Sequence, residues 1–100
     1  METDVKEKQS KLILISNLRS SKLSLIQPLS TNIESDVAEV ICDCPDIDLY
    51  GVGETEQEAI SDFSENLEDL FYLLKKSGEK KLGPQMIYIW RFLEKVIKEN

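Results

Sequence analysis

The side chains with the most chemical reach are gathered in one stretch, Cys42-Asp43-Cys44-Pro45-Asp46-Ile47-Asp48, with Tyr50 and Glu54 close behind. Asp43, Asp46, Asp48 and Glu54 are of the type that holds Mg²⁺ for phosphoryl chemistry. Such a site needs carboxylates converging from separate strands. These four fall within twelve residues around one turn, and strand alternation sends Asp43 away from the face shared by Cys42 and Cys44. Turn, capping and partner-binding roles suit them better, so Asp43, Asp46, Asp48, Tyr50 and Glu54 are candidates for binding a partner. Zinc would want four ligands, usually Cys or His, and the chain has two cysteines and no histidine. Both cysteines fall on the apolar side of a strand, where free thiols pack as small hydrophobes. The lack of histidine also removes the commonest general base. No Ser-His-Asp set, Cys-His pair or glycine-rich phosphate loop occurs. The expectation is a non-enzyme with no catalytic residue, cofactor or metal.

A second aromatic group, Tyr88, Trp90 and Phe92 beside Arg91, could stack on nucleic-acid bases. Its helical spacing fits a core better, and the rest of the chain is strongly acidic. The net charge is −7, from 12 basic and 19 acidic residues. Residues 23–74 hold thirteen acids and no Lys or Arg, while both flanking segments carry more bases than acids. A block of that sign repels phosphate and attracts a basic partner, so direct nucleic-acid binding is not expected.

The elements that must position these residues follow from length and pattern. One hundred residues with 41% hydrophobic and 31% charged content fit one domain of ordinary globular composition. No stretch approaches the roughly 20 apolar residues of a membrane span. Residues 1–11 read as a polar lead-in without a signal-peptide centre, which predicts a cytoplasmic chain. Leu12-Ile13-Leu14-Ile15 predicts a strand buried on both faces or near a sheet centre. Leu23, Leu25, Leu29 and Ile33 alternate as one half-buried strand, with an edge or bulge at Pro28. Val37–Cys44 alternates again, and Ile47, Leu49, Tyr50 and Val52 suggest one further short strand. Gly51 and Gly53 are read as a tight turn after it. Thr55-Glu56-Gln57-Glu58 fits a capping box. It opens a helix of about 20 residues whose stripe runs through Ala59, Ile60, Phe63, Leu67, Leu70, Phe71 and Leu74. Phe63 and Leu67 should face the sheet, and Gly78 is a plausible stop. Pro84 opens a second helix, striped by Met86, Ile89, Trp90, Leu93, Val96 and Ile97. The predicted class is α+β: an antiparallel sheet of three to four strands packed on a long α-helix, plus a C-terminal helix. Residues 12–76 form the sheet-and-helix domain, and residues 77–100 the linker and C-terminal helix.

The ordered series Pro45-Asp46-Ile47, Gly53-Glu54-Thr55 and Glu58-Ala59, set after the strand Val37–Cys44, resembles the HicB-like antitoxin family over roughly residues 23–75. The resemblance implies a partial ribonuclease H-like fold and the antitoxin half of a toxin–antitoxin pair. It also implies a small basic HicA-type mRNA interferase as the partner, blocked at its active surface. Many members carry a further DNA-reading domain. Residues 77–100 offer one helix, which places the resemblance with a branch lacking that domain. The alternative is a solitary homo-oligomeric HicB-like protein without a toxin.

Self-association is expected at the C-terminal helix. Ile87 and Phe92 lie outside the main stripe and widen it beyond what one small sheet needs. An apolar patch of that kind is commonly buried by two-fold pairing, so Ile87, Trp90 and Phe92 are candidates for a homodimer contact.

Overall fold

The computed structural model describes residues 9–100. Strands β1 (Gln9–Ile15), β3 (Leu29–Ser35), β4 (Val40–Cys44) and β5 (Leu49–Gly53) form one antiparallel sheet in the order β1-β3-β4-β5. Helix α1 (Glu56–Ser77) packs on β5 and β4. Helix α2 (Pro84–Val96) packs on α1. A second sheet pairs β2 (Leu23–Leu25) with β6 (Ile97–Glu99). This is the expected α+β architecture, with four strands in the main sheet and a small second sheet added.

The register assigns each side chain to a face. Ile33, Cys42 and Gly51 stand side by side, as do Cys44 and Leu49. With Ile15, Leu29 and Thr31 they form the inner face under α1. There Phe63 and Leu67 are fully buried, as the helix stripe predicts. Gly51 and Gly53 are not a turn; they lie inside β5 and let α1 approach. A Cβ on Gly51 would sit 2.1 Å from Phe63 N and 2.6 Å from Ala59 O. A Cβ on Gly53 would sit 2.6 Å from Ala59 N. Only glycine fits at that backbone-to-backbone distance.

Helix α1 begins as its sequence requires. The Glu58 N–H donates to Thr55 Oγ1 at 3.1 Å. The Glu58 carboxylate reaches one residue further back than the usual box, accepting from Glu54 N–H at 2.8 Å. At the other end, Gly78 adopts φ 78° and its N–H bonds Leu74 O. Pro84 opens α2 behind Gly83. Ile89, Leu93, Val96 and Ile97 join the core of the main sheet, so residues 77–100 share one hydrophobic centre with the rest.

Four further expectations change. β1 is an edge strand, not a central one: Leu12 is 69% exposed and Leu14 66%, while Ile15 on the other face is buried. Its uniform apolarity reads as two-sided burial, but only one side is covered. β1 also begins at Gln9, inside the predicted lead-in; residues 1–8 of that lead-in lie outside the described residues. The alternating run 23–33 is two strands in different sheets, broken at Ile26–Pro28, where the chain leaves its pairing with β6 and enters the main sheet. Finally, α2 ends at Val96 and the chain continues as β6. The Ile26 N–H donates to Val96 O at 2.6 Å, and the Asn100 N–H donates to Lys22 O at 2.8 Å.

The loop between β1 and β2 reads as a polar turn, yet Leu18 within it is 1% exposed. Arg19 (φ 58°) donates to Gln57 Oε1 at 2.7 Å and Ser61 Oγ at 3.2 Å, pinning the loop to α1. The Ser20 hydroxyl adds a bond to Glu68 Oε1 at 2.9 Å.

Candidate functional site

One face of the main sheet carries α1; among the described residues the other face is uncovered. Across it the register lines up Leu12, Asn32, Asp43 and Tyr50, one from each strand. A second row holds Ser10, Glu34, Ile41 and Val52, and Leu14 stands opposite Ser30. The face is therefore apolar along β1, polar along β3, and mixed acidic and aromatic toward β4 and β5. Tyr50 is 59% exposed, directly opposite Asp43.

Asp43 is the electrostatic focus. Partial burial raises its carboxyl above the ordinary value, and the nearby charges of Glu34 and then Asp48 raise it further. Asp48 is positioned by the short 3-10 turn Pro45–Ile47. It adopts the left-handed conformation (φ 55°) and its N–H bonds Pro45 O at 3.2 Å. Aspartate tolerates that conformation better than most residues. Ile47 of the same turn is buried, anchoring it to the core.

Of the five predicted partner-binding residues, the structure brings Asp43, Asp48 and Tyr50 together. Asp46 is exposed on the 3-10 turn, where its charge acts on the Cys44 thiol rather than on Asp43. Glu54 follows the far end of β5, about 13 Å along the strand from Tyr50, and its N–H serves the α1 cap. Glu34, Ile41 and Val52 belong to the same face and were not singled out from sequence. Glu34 and Val52 come beside Asp43 only through the cross-strand register, whereas Ile41 lies two residues from Asp43 on β4, where alternation alone puts it on the same face.

The four carboxylates do not converge on one point. Among the described residues, no three His, Cys, Asp or Glu side chains come together as a metal-binding set. Cys42 and Cys44 are fully buried free thiols. Burial, more than any neighbouring charge, pushes both up to about 11. At neutral pH they are unreactive core groups.

The predicted dimer-contact residues sit on two sides of α2. Trp90 is half-buried, its ring tilted against Phe71 with centroids 5.2 Å apart. Ile87 and Phe92 are half-buried and line an open trough of about 460 Å³ with Pro84, Tyr88, Arg91 and Lys95. Arg91 bonds Glu79 Oε1 at 3.1 Å. That contact raises the guanidinium value and lowers that of the Glu79 carboxyl. Part of the Trp90 ring thus packs on α1.

No described helix is long and apolar enough to cross a membrane. Comparison of the chain with protein-family models, with curated proteins and with solved structures gave no match.

Proposed function

We propose that this chain is a non-enzymatic interaction module of the kind its HicB-like sequence series implies. In this reading it is antitoxin-like, and presents an acidic sheet face to a small basic toxin of the HicA type and neutralises it. One arrangement carries the reading: Asp43 opposite Tyr50 on the uncovered face, with Glu34 and Asp48 acting on the Asp43 carboxyl. Like charges held together while partly desolvated weaken the fold, and an arriving cation relieves that repulsion. A lysine or arginine from a partner would find its counter-charge there. Tyr50 supplies a flat, amphipathic surface beside it, of the type that anchors interfaces. The reading includes a cytoplasmic location, where Cys42 and Cys44 stay reduced.

The test begins with a pull-down at low ionic strength and mass-spectrometric identification of a small basic protein. That protein is then titrated against the parent and against the Asp43→Lys, Asp48→Lys double variant. The expected result is affinity lower by about tenfold or more in the double variant. Equal affinity, or no basic partner, sinks the proposal. Mg²⁺-dependent RNA cleavage by the purified chain alone would replace it with a nuclease reading.

A further inference from the structure

The two edges of the main sheet are treated differently. On β5 the outward Val52 N–H donates to Asp62 Oδ2 at 2.9 Å, and the outward Tyr50 C=O accepts from Asn66 Nδ2 at 2.9 Å. Side chains of α1 therefore close that edge. Backbone direction alternates along an antiparallel strand, so the assignment can be followed across the register. If Tyr50 and Val52 point outward, Gly51 points to β4. Ile41 and Asp43 then point to β3, Asn32 and Glu34 back to β4, and Thr31 and Ile33 to β1. Lys11 and Ile13 answer them, which leaves the N–H and C=O groups of Ser10, Leu12 and Leu14 on the free side of β1. The Thr31 hydroxyl agrees with this order, since it reaches Ile13 O at 3.3 Å and so finds that carbonyl turned inward. Among the described residues nothing caps the outward groups of β1.

We propose that a second copy of this chain pairs with this edge, β1 against β1 in antiparallel register about a two-fold axis at Ile13. Leu12 of each copy then stands opposite Leu14 of the other, and each such pair exchanges two backbone hydrogen bonds. The two leucines, so exposed in one copy, become cross-strand neighbours on the open face. Ile13 meets Ile13 on the inner face. The same patch serves both copies, as a closed two-fold requires.

Charge makes this edge the one a second copy can approach. Residues 9–33 contain no acid and only three bases, Lys11, Arg19 and Lys22. Lys11 is already paired with Glu56 at 2.9 Å, and Arg19 with the polar side chains of α1. Two copies of a chain at −7 thus approach with least repulsion along β1, whereas the opposite end of the face, with Asp43 and Asp48, repels a copy. The inference does not depend on a basic partner, and pairing at β1 leaves the Asp43–Tyr50 end of each copy free.

Sedimentation or light scattering on the full chain, combined with hydrogen exchange, tests it. The expected species has twice the 11.5 kDa chain mass. Its Leu12 and Leu14 amides should gain protection as concentration rises. The Leu12→Lys, Leu14→Lys double variant should be monomeric and still cooperatively folded, because both side chains are exposed in a single copy, with a thermal midpoint that no longer rises with concentration as the parent's does. Leu73→Lys, at a similarly exposed position on α1, should stay dimeric. A monomeric parent overturns the proposal. So does a dimer that survives the double variant, or one whose Leu12 and Leu14 amides exchange freely. Amides protected in a monomer overturn it too, since the edge would then be covered by its own chain.

Discussion

Asp43 is placed where the fold does not want a charge. Its neighbours on the face, Glu34 and Asp48, repel it, and burial withdraws water from it. In the unfolded chain its carboxyl has the ordinary value, so the folded value is the higher one. Any stabilisation tied to its protonated form is therefore fully present below the unfolded value and is lost as pH rises through the folded one. Asn at this position removes the repulsion at all pH values. Asp43→Asn should raise the neutral-pH melting temperature by about 1–3 °C, a modest effect because the group is only partly buried. The gap should close as pH falls below the carboxylate range. Thermal melts of parent and variant across a pH series check this. A variant that melts lower at neutral pH would mean that Asp43 makes a favourable contact instead. Under the binding proposal the same substitution weakens the partner, so one residue carries opposite signs for stability and for recognition.

At the scale of elements, the C-terminal strand is what closes the second sheet. β6 pairs with β2, Ile97 is buried, and Lys75 of α1 pairs with Glu99 of β6. A chain ending at Val96 loses the Ile97 side chain and that ladder, and uncovers Leu23 and Leu25. The expected loss is about 3 kcal/mol, chiefly from the exposed apolar area, read as a lower denaturant midpoint. An unchanged midpoint would mean that β6 is decoration.

No local pattern announces β6, because Ile97 sits at helical spacing behind Leu93 and serves a helix stripe and a strand equally well. The long helix was legible for the opposite reason. Its cap, its stripe through Phe63 and Leu67, and its terminal lysines all agree. The candidate face was half legible. Alternation correctly separated Asp43 from the two cysteines and put Ile41 on its side, but Glu34 and Leu12 join it only through pairing between strands. The all-apolar run at residues 12–15 misled because hydrophobicity along a strand states what is available for burial, not which neighbour buries it. Gly51 and Gly53 looked like a turn since the helix backbone that crowds them belongs to another element.

Over the whole molecule, charge is sorted by position on the sheet. The β1 end is neutral to basic, and the β4–β5 end with its connecting turn is acidic. Two copies joined at β1 would form one continuous sheet with an apolar centre and an acidic zone at each far end. The two proposed contacts then respond to salt with opposite signs. Self-association brings together chains that each carry −7, so screening removes a repulsion and should leave pairing equal or tighter as ionic strength rises. A basic partner on the Asp43–Tyr50 zone is held and steered by attraction, so its affinity should fall over the same range, by about tenfold between low and high salt. Sedimentation equilibrium of the chain alone, and titration of the partner at the same two salt concentrations, give the two slopes independently. If dimerisation weakens strongly with salt, the copies are held by charge pairs and the β1 edge is the wrong surface. If partner binding is indifferent to salt, the carboxylates around Asp43 are not what it recognises, and the apolar stretch of the face must be.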